Sequence, residues 1–155
     1  MKRFTGAAML LLIAGCATPQ PVRDAASLDG PLPEMLVRLP PAEGSPEIML
    51  LAGFGGTIDL SGDCVTVVMA HDGARQVPIF YTGTTIGRDS NGLYLRDRET
   101  ADVFRSGDAF SGGGGFISQD ILNEKRFYAA SPGPACRNAA AGGVVSINPG
   151  MRHAP

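Results

Sequence analysis

The 155-residue chain contains no tryptophan, only two histidines and only three cysteines. It has no Gly-x-Ser-x-Gly nucleophile elbow and no Ser-x-x-Lys. It also has no His-Glu-x-x-His and no phosphate-binding P-loop. A Ser-His-Asp triad would have to recruit His71 and a remote serine, because His153 lies near the C-terminus. No basic excess is present: 13 Lys and Arg face 15 Asp and Glu. The electrostatic case for nucleic acid is therefore missing, as is a basic stripe for anionic lipid. No apolar run approaches the roughly 20 residues that a membrane-spanning helix needs. The sequence carries no set of metal ligands and no cofactor motif, so no metal and no cofactor are expected.

What is present begins at the N-terminus. Lys2 and Arg3 precede a mostly apolar run from Ala7 to Ala14, then the small residue Gly15 and a cysteine. This is the layout of a secretory signal. The stretch Leu12-Ile13-Ala14-Gly15-Cys16 resembles the lipobox of bacterial lipoproteins. The resemblance implies that residues 1–15 are a signal peptide and that Cys16 becomes an acylated N-terminus carrying diacylglycerol and an amide-linked acyl chain such as palmitate. Two or more chains give stable anchoring. Position 17 is Ala, not Asp, which under the same resemblance favours the outer membrane with the domain facing the periplasm; surface display stays open. The alternative is an ordinary cysteine in a plain signal peptide or a short anchor.

Removing residues 1–15 leaves 140 residues, with 11 basic against 15 acidic side chains. That is room for one domain and a tether. Cys64 and Cys136 remain, and in an oxidising compartment a disulfide between them is the default. A metal-binding pair or a reactive thiol are the alternatives, and no His or Cys stands beside either at ligand spacing.

Residues 16–47 are rich in proline and read as a spacer, interrupted by an apolar stretch, Met35 to Leu39, that can dock as an edge strand or a helical turn. Residues 48–148 read as a β domain. Cys64 to Ala70 alternates two largely apolar sets, as expected of a central strand buried on both faces. Val77 to Tyr81 is strand-like, although Pro78 requires an edge or a bulge. Asp89-Ser90-Asn91-Gly92 predicts a hairpin turn. It also resembles part of a calcium loop, but the ligand spacing fails at Leu93. Ser61-Gly62-Asp63 and Ser106-Gly107-Asp108 predict turns; placed together, their aspartates could serve acid–base chemistry. The glycine run Gly112–Gly115 fits close strand packing or a flexible connection, with anion cradling as the alternative. One helix is expected from Ser118, with Ile121, Leu122 and Phe127 on its apolar face, ended by Ser131-Pro132-Gly133-Pro134. Asn138 to Gly143 reads as a loop, and residues 149–155 as a disordered tail. Phe80, Tyr81, Tyr94, Phe104, Phe110 and Phe116 are expected to supply most of the core.

The sum is an all-β domain: a small barrel or sandwich, an OB-like barrel among the forms, of about six or seven short strands with one short helix and one disulfide. The order of the Gly56–Val65, Val77–Phe80 and Gly107-Asp108 motifs, a glycine cluster and a second cysteine resembles small secreted or lipid-anchored bacterial β domains without assigned function. That resemblance implies the fold and brings no catalytic residues. The expected function is that of a non-enzymatic envelope lipoprotein, held to the membrane by its lipid and binding an envelope protein or cell-wall component, or serving as an accessory subunit. Arg88, Asp89, Asn91, Tyr94, Arg96 and Arg98 are the candidate partner surface. Three rivals are testable by geometry. A hydrolase needs Asp63, His71 and Asp108 in one pocket. An inhibitor of a lytic enzyme needs an exposed, ordered loop over Tyr94 to Phe104. A binder of a small apolar ligand needs a cavity inside the barrel.

Overall fold

The structure, a computed structural model, describes residues 30–124, 128 and 130–155. The signal peptide and Cys16 lie outside the described residues. Among the described residues there are ten strands: β1 (Leu36–Val37), β2 (Ala52–Asp59), β3 (Thr66–Met69), β4 (Arg75–Phe80), β5 (Thr85–Asp89), β6 (Gly92–Arg96), β7 (Val103–Phe104), β8 (Ala109–Ile117), β9 (Val144–Ile147) and β10 (Arg152–His153). One short helix, α1 (Pro134–Ala139), runs on into a 3-10 turn at Ala140–Gly142.

Five strands close on themselves. β2 pairs antiparallel with β3 and β8, β3 with β4, and β8 with β9. The ring is completed by β9 lying parallel to β4, Val77 opposite Val144 and Ile79 opposite Ser146. Numbering only the ring strands, the order is 1-2-3-5-4-1 with the third and fifth parallel, which is the connectivity of an OB-type barrel. Closure leaves no free sheet edge in the ring. β1 and β10 attach outside it, on β4 and β8. β5, β6 and β7 form a separate three-stranded sheet inserted between β4 and β8.

The alternation in the sequence explains which side chains fill the barrel. Ile58, Leu60, Val65, Val67, Met69, Phe80, Phe110, Val145 and Ile147 point inward, and Leu95 and Phe104 of the inserted sheet join them. Each is at most 2% exposed. The interior is therefore packed with protein side chains, and the apolar-ligand reading of the barrel lumen loses its site. A second cluster lies outside the ring, where Val77, Ile79 and Val144 meet Leu36, Leu122, Tyr128 and the two cysteines.

Pro78 sits in a strand paired with β9 on one side. On its other side, pairing with β3 ends at Gln76 and pairing with β1 begins at Ile79. The missing N–H thus falls in the gap between two partners, which meets the requirement for a local edge. Gly112–Gly115 lie within β8 and serve close packing. A Cβ at Gly114 would come within 2.4 Å of the Ser146 carbonyl oxygen, and one at Gly56 within 2.4 Å of the Val68 carbonyl oxygen.

Several sequence expectations are corrected. The segment after Ser118 forms only a 3-10 turn, Gln119–Asn123, capped by the Ser118 hydroxyl accepting from the Asp120 N–H; the stretch at Phe127 lies outside the described residues. The helix forms instead at Pro134–Ala139, inside the segment read as stop signal and loop. Proline at its first position needs no N–H partner and suits a helix start. The predicted spacer is not free of the domain from Leu36 onward: Leu36 is 3% exposed and β1 pairs with β4. Met35 to Leu39 thus docks as an edge strand. The predicted disordered tail is also folded. Met151 is fully buried, β10 pairs with β8, and His153 stacks on Phe104 at 4.5 Å. Phe116, expected in the core, is 57% exposed, whereas Phe54 is buried.

Two carboxylates hold these additions. Asp97, 1% exposed, accepts from the N–H groups of Glu99, Thr100, Gly150 and Met151, at 2.8 to 3.3 Å. Glu34 accepts from the N–H groups of Gly133 and Cys136 at the start of α1. Its own N–H donates to the Asp63 carbonyl and its carbonyl accepts from Val65 N–H, each at 2.8 Å.

Cys64 and Cys136 form the expected disulfide, with Cα atoms 5.0 Å apart at a sequence separation of 72. Fixing a loop of that length stabilises the fold by about 4 kcal/mol in the chain-entropy view. Reduction, or Cys64→Ala with Cys136→Ala, is expected to lower the denaturant midpoint by a matching amount; an unchanged midpoint in urea would show that the bridge contributes little. Asp97→Ala orphans several buried N–H groups, and should cost at least about 2 kcal/mol and expose the C-terminal strand to hydrogen exchange.

Candidate functional site

Local chemistry builds an ordered polar surface where β2 ends. Asp59 is the last residue of β2. Its Oδ1 accepts from the Ser61 N–H at 2.9 Å and the Ser61 hydroxyl at 2.6 Å, which turns the chain toward β3. Its Oδ2 pairs with the Arg75 guanidinium from β4. The same guanidinium nitrogen donates to the Thr66 hydroxyl of β3 at 2.7 Å. Three adjacent strands are thus cross-linked by one arginine, which still leaves its side chain about half exposed.

Two open clefts meet at this pair. One, of about 510 Å³, runs between the β2–β3 loop, Thr66, Arg75 and helix α1, with Asp63 and Asn138 on its walls. The other, of about 460 Å³, continues over the outer surface of β2 and β3 to Ser106 and Gly107. Both are lined by Asp59, Ser61 and Arg75. The first is floored at one point by Cys64, so the disulfide fixes the distance between its two walls. Burial opposes ionisation of Asp59, but the Ser61 hydrogen bonds and Arg75 outweigh it and hold the carboxyl below its ordinary range.

Of the residues singled out in the sequence, Asp63 lines the first cleft, whereas the candidate partner surface falls elsewhere. Arg88, Asp89, Asn91, Tyr94 and Arg96 do share the β5–β6 hairpin, with Gly87 opposite Tyr94 and Asp89 opposite Gly92. The Tyr94 ring lies over Gly87, where a Cβ would come within 2.6 Å of it. The Arg96 guanidinium stands 5.7 Å from that ring. Asp89 accepts from the Asn91 N–H and pairs with Arg105 at 2.7 Å. The Arg105 hydrogen bond, then that of Asn91, lowers its pKa. The calcium-like sequence is therefore a turn, and among the described residues no three His, Cys, Asp or Glu side chains gather as a metal site. Arg88 donates to the Pro31 carbonyl at 3.3 Å. Arg98 is separate from this group. It pairs with Glu47, donates to the Thr82 carbonyl at 3.0 Å and stands 5.8 Å from the Tyr81 ring, which Arg38 approaches to 4.5 Å.

Two rival readings lose their geometry. His71 lies in the β3–β4 turn, whereas Asp63 and Asp108 lie at the other end of β3, where β2 meets the 106–108 turn through Ile58 and Leu60. The three do not converge. Asp108 is used in its turn, accepting from the Arg105 N–H at 2.8 Å. Within Tyr94 to Phe104, Leu95, Asp97 and Phe104 are at most 1% exposed, so the segment is strand and anchored turn and not a protruding loop.

Sequence reasoning missed Asp59, Arg75 and Asn138. Asp59 and Arg75 are separated by 16 positions and meet only through the β2–β3–β4 meander. The available signal was Asp59 just ahead of a Ser-Gly turn, with Arg75 where the next strand begins. The first cleft lies where OB-type barrels bind oligosaccharides and oligonucleotides, bounded by the loop between the first two ring strands and the connection between the last two; the second extends from it toward the 106–107 turn. No family model matches this chain, and no curated protein or solved structure matches it.

Because Asp59 ionises more readily in the folded state, its stabilisation is present above the unfolded carboxyl value near 3.8 and is lost as pH falls through the lower folded value. Asp59→Asn should therefore be less stable than the native chain at neutral pH, and the gap should narrow as pH falls below about 4. Chemical melts at pH 7 and pH 3 check this; a pH-independent gap would assign the effect to packing.

Proposed function

We propose that this chain is a non-enzymatic bacterial envelope lipoprotein whose barrel binds a hydroxyl-rich glycan of the cell wall through the Asp59–Arg75 clefts. The supporting observation is the set of polar side chains on the OB ligand face, where carboxylate, guanidinium, hydroxyl and amide groups from Asp59, Ser61, Asp63, Thr66, Arg75 and Asn138 line one cleft with small apolar residues between them. Such a set offers both donors and acceptors to sugar hydroxyls. Two carboxylates against one guanidinium disfavour a polyanion, which argues for a saccharide over an oligonucleotide. The ends of the two clefts leave room for a chain longer than one sugar.

In this reading residues 1–15 are removed, acylated Cys16 anchors the protein in the outer membrane, and the domain faces the periplasm. The β5–β6 hairpin with Arg88, Asp89, Asn91, Tyr94 and Arg96 supplies a second surface through which an envelope protein partner engages the domain. The support is the lipobox-like N-terminus and the compact, disulfide-bonded domain that follows it.

The test is cosedimentation with purified cell-wall sacculi, alongside mass spectrometry of the mature N-terminus. Binding is expected, with Arg75→Ala and Asn138→Ala each weakening it about tenfold, the effect of one charge-assisted or well-placed hydrogen bond. Circular dichroism establishes that both variants fold. No cosedimentation of the folded native protein removes the glycan reading, and an unmodified Cys16 removes the anchor.

A further inference from the structure

We infer that the end of the barrel opposite the polar clefts rests on the lipid surface to which the chain is tethered. This rests on the lipid-anchor reading above and adds an orientation to it. Among the described residues five large apolar side chains are exposed, and three of them lie on adjoining stretches of chain here: Ile48 at 72% and Leu51 at 94% just ahead of β2, and Phe116 at 57% near the end of β8. Leu50 lies against Gly115, and the Phe54 and Phe116 rings meet edge to face at 5.4 Å. Two shallow apolar hollows flank them. One, of about 360 Å³, is bordered by Phe54, Met69, His71 and Phe116; the other, of about 200 Å³, by Ile48, Leu50, Ile117 and Ile121. A soluble surface seldom gathers apolar groups this way without a partner.

The occupant follows from position and tether. The patch belongs to the start of β2 and the end of β8, whereas Asp59 closes β2 at its other end. Seven residues of strand separate the two, roughly 23 Å. A barrel seated on its apolar end would turn the Asp59–Arg75 clefts away from the bilayer, toward the wall. From Ala17 to Gly30 there are 14 residues. A stretch of that many residues spans at most about 50 Å. The described end of the tether meets the barrel at its cleft end, where the Glu34 N–H donates to the Asp63 carbonyl. The tether must therefore pass the roughly 23 Å length of β2 to seat the other end on the bilayer; its maximum span allows this, and the side with exposed Leu, Ile and Phe settles the contact. Apolar side chains entering the interface supply the favourable free energy without a basic stripe.

The absence of tryptophan makes a clean test available. The full chain carries one reporter, Phe116→Trp at the patch or Tyr94→Trp on the distant hairpin, and is mixed with phosphatidylethanolamine–phosphatidylglycerol vesicles containing brominated lipid. Expected is a blue shift and loss of most of the emission at position 116, little change at position 94, and recovery of emission when Leu51→Asp and Ile48→Asp are added. Circular dichroism establishes that these variants fold. Acylation of Cys16 is read separately by mass. An acylated, vesicle-bound protein whose position-116 reporter is not quenched overturns the docking and leaves the anchor standing. An unacylated protein that is still quenched at 116 supports the docking and removes the anchor. A blue shift without bromine quenching, with a doubled mass in solution, gives the patch to a second copy of the chain and overturns the inference.

Discussion

The parallel pairing of Val77–Ile79 with Val144–Ser146 is the constraint on which the other features depend. It converts a curved sheet into a closed ring and removes the edges that an open β domain would expose. It also sets where the chain must be thin. β8 has to pass close to both β2 and β9, and glycine at position 114 admits the Ser146 carbonyl where any side chain would collide. β8 and β9 are antiparallel neighbours that a two-residue turn could join. The chain instead places residues 118–143 between them, and this excursion carries α1 and Cys136 across the outside of the ring. The second apolar cluster, the disulfide and one wall of the polar cleft all follow from that detour.

Two carboxylates perform work usually done by local caps. Glu34 reaches across from the N-terminal segment to the first N–H groups of α1, where acidic groups are favoured. Asp97 collects N–H groups from its own turn and from Gly150 and Met151. A carboxylate drawn out of water needs N–H groups around it. Each therefore ties a distant stretch of chain to the barrel, and the two stretches are those that composition alone presents as spacer and tail.

Chemistry is distributed unevenly over the barrel. Ionised and hydroxyl side chains meet where β2 ends, and exposed Leu, Ile and Phe side chains where it begins. The inserted β5–β7 sheet lends Leu95 and Phe104 to the core and turns Tyr94 and Arg96 outward. A small closed barrel suits this division, because its interior is committed to packing and its two ends remain independent surfaces.

Much of this was legible in local sequence, because strand alternation, Gly and Asn turns and a cysteine pair act over a few residues or through one covalent bond. Within Cys64 to Ala70 the sequence reads correctly as a buried central strand over Thr66–Met69, Asp89–Gly92 as a hairpin, and Cys64 with Cys136 as a disulfide. Tertiary structure alone decided the rest. The docking of β1 and β10 depends on partners 43 residues away, Leu36 on Ile79 and His153 on Phe110. The helix forms at Pro134 and not at Ser118 because a remote Glu34 satisfies its first N–H groups. The Asp59–Arg75 surface exists because the β2–β3–β4 meander brings the two side chains together, and Phe116 is exposed where β8, still paired with β9, runs past its last pairing with β2 at Gly114. Local patterns determine what a segment can be; long-range pairing determines which surfaces its side chains come to share.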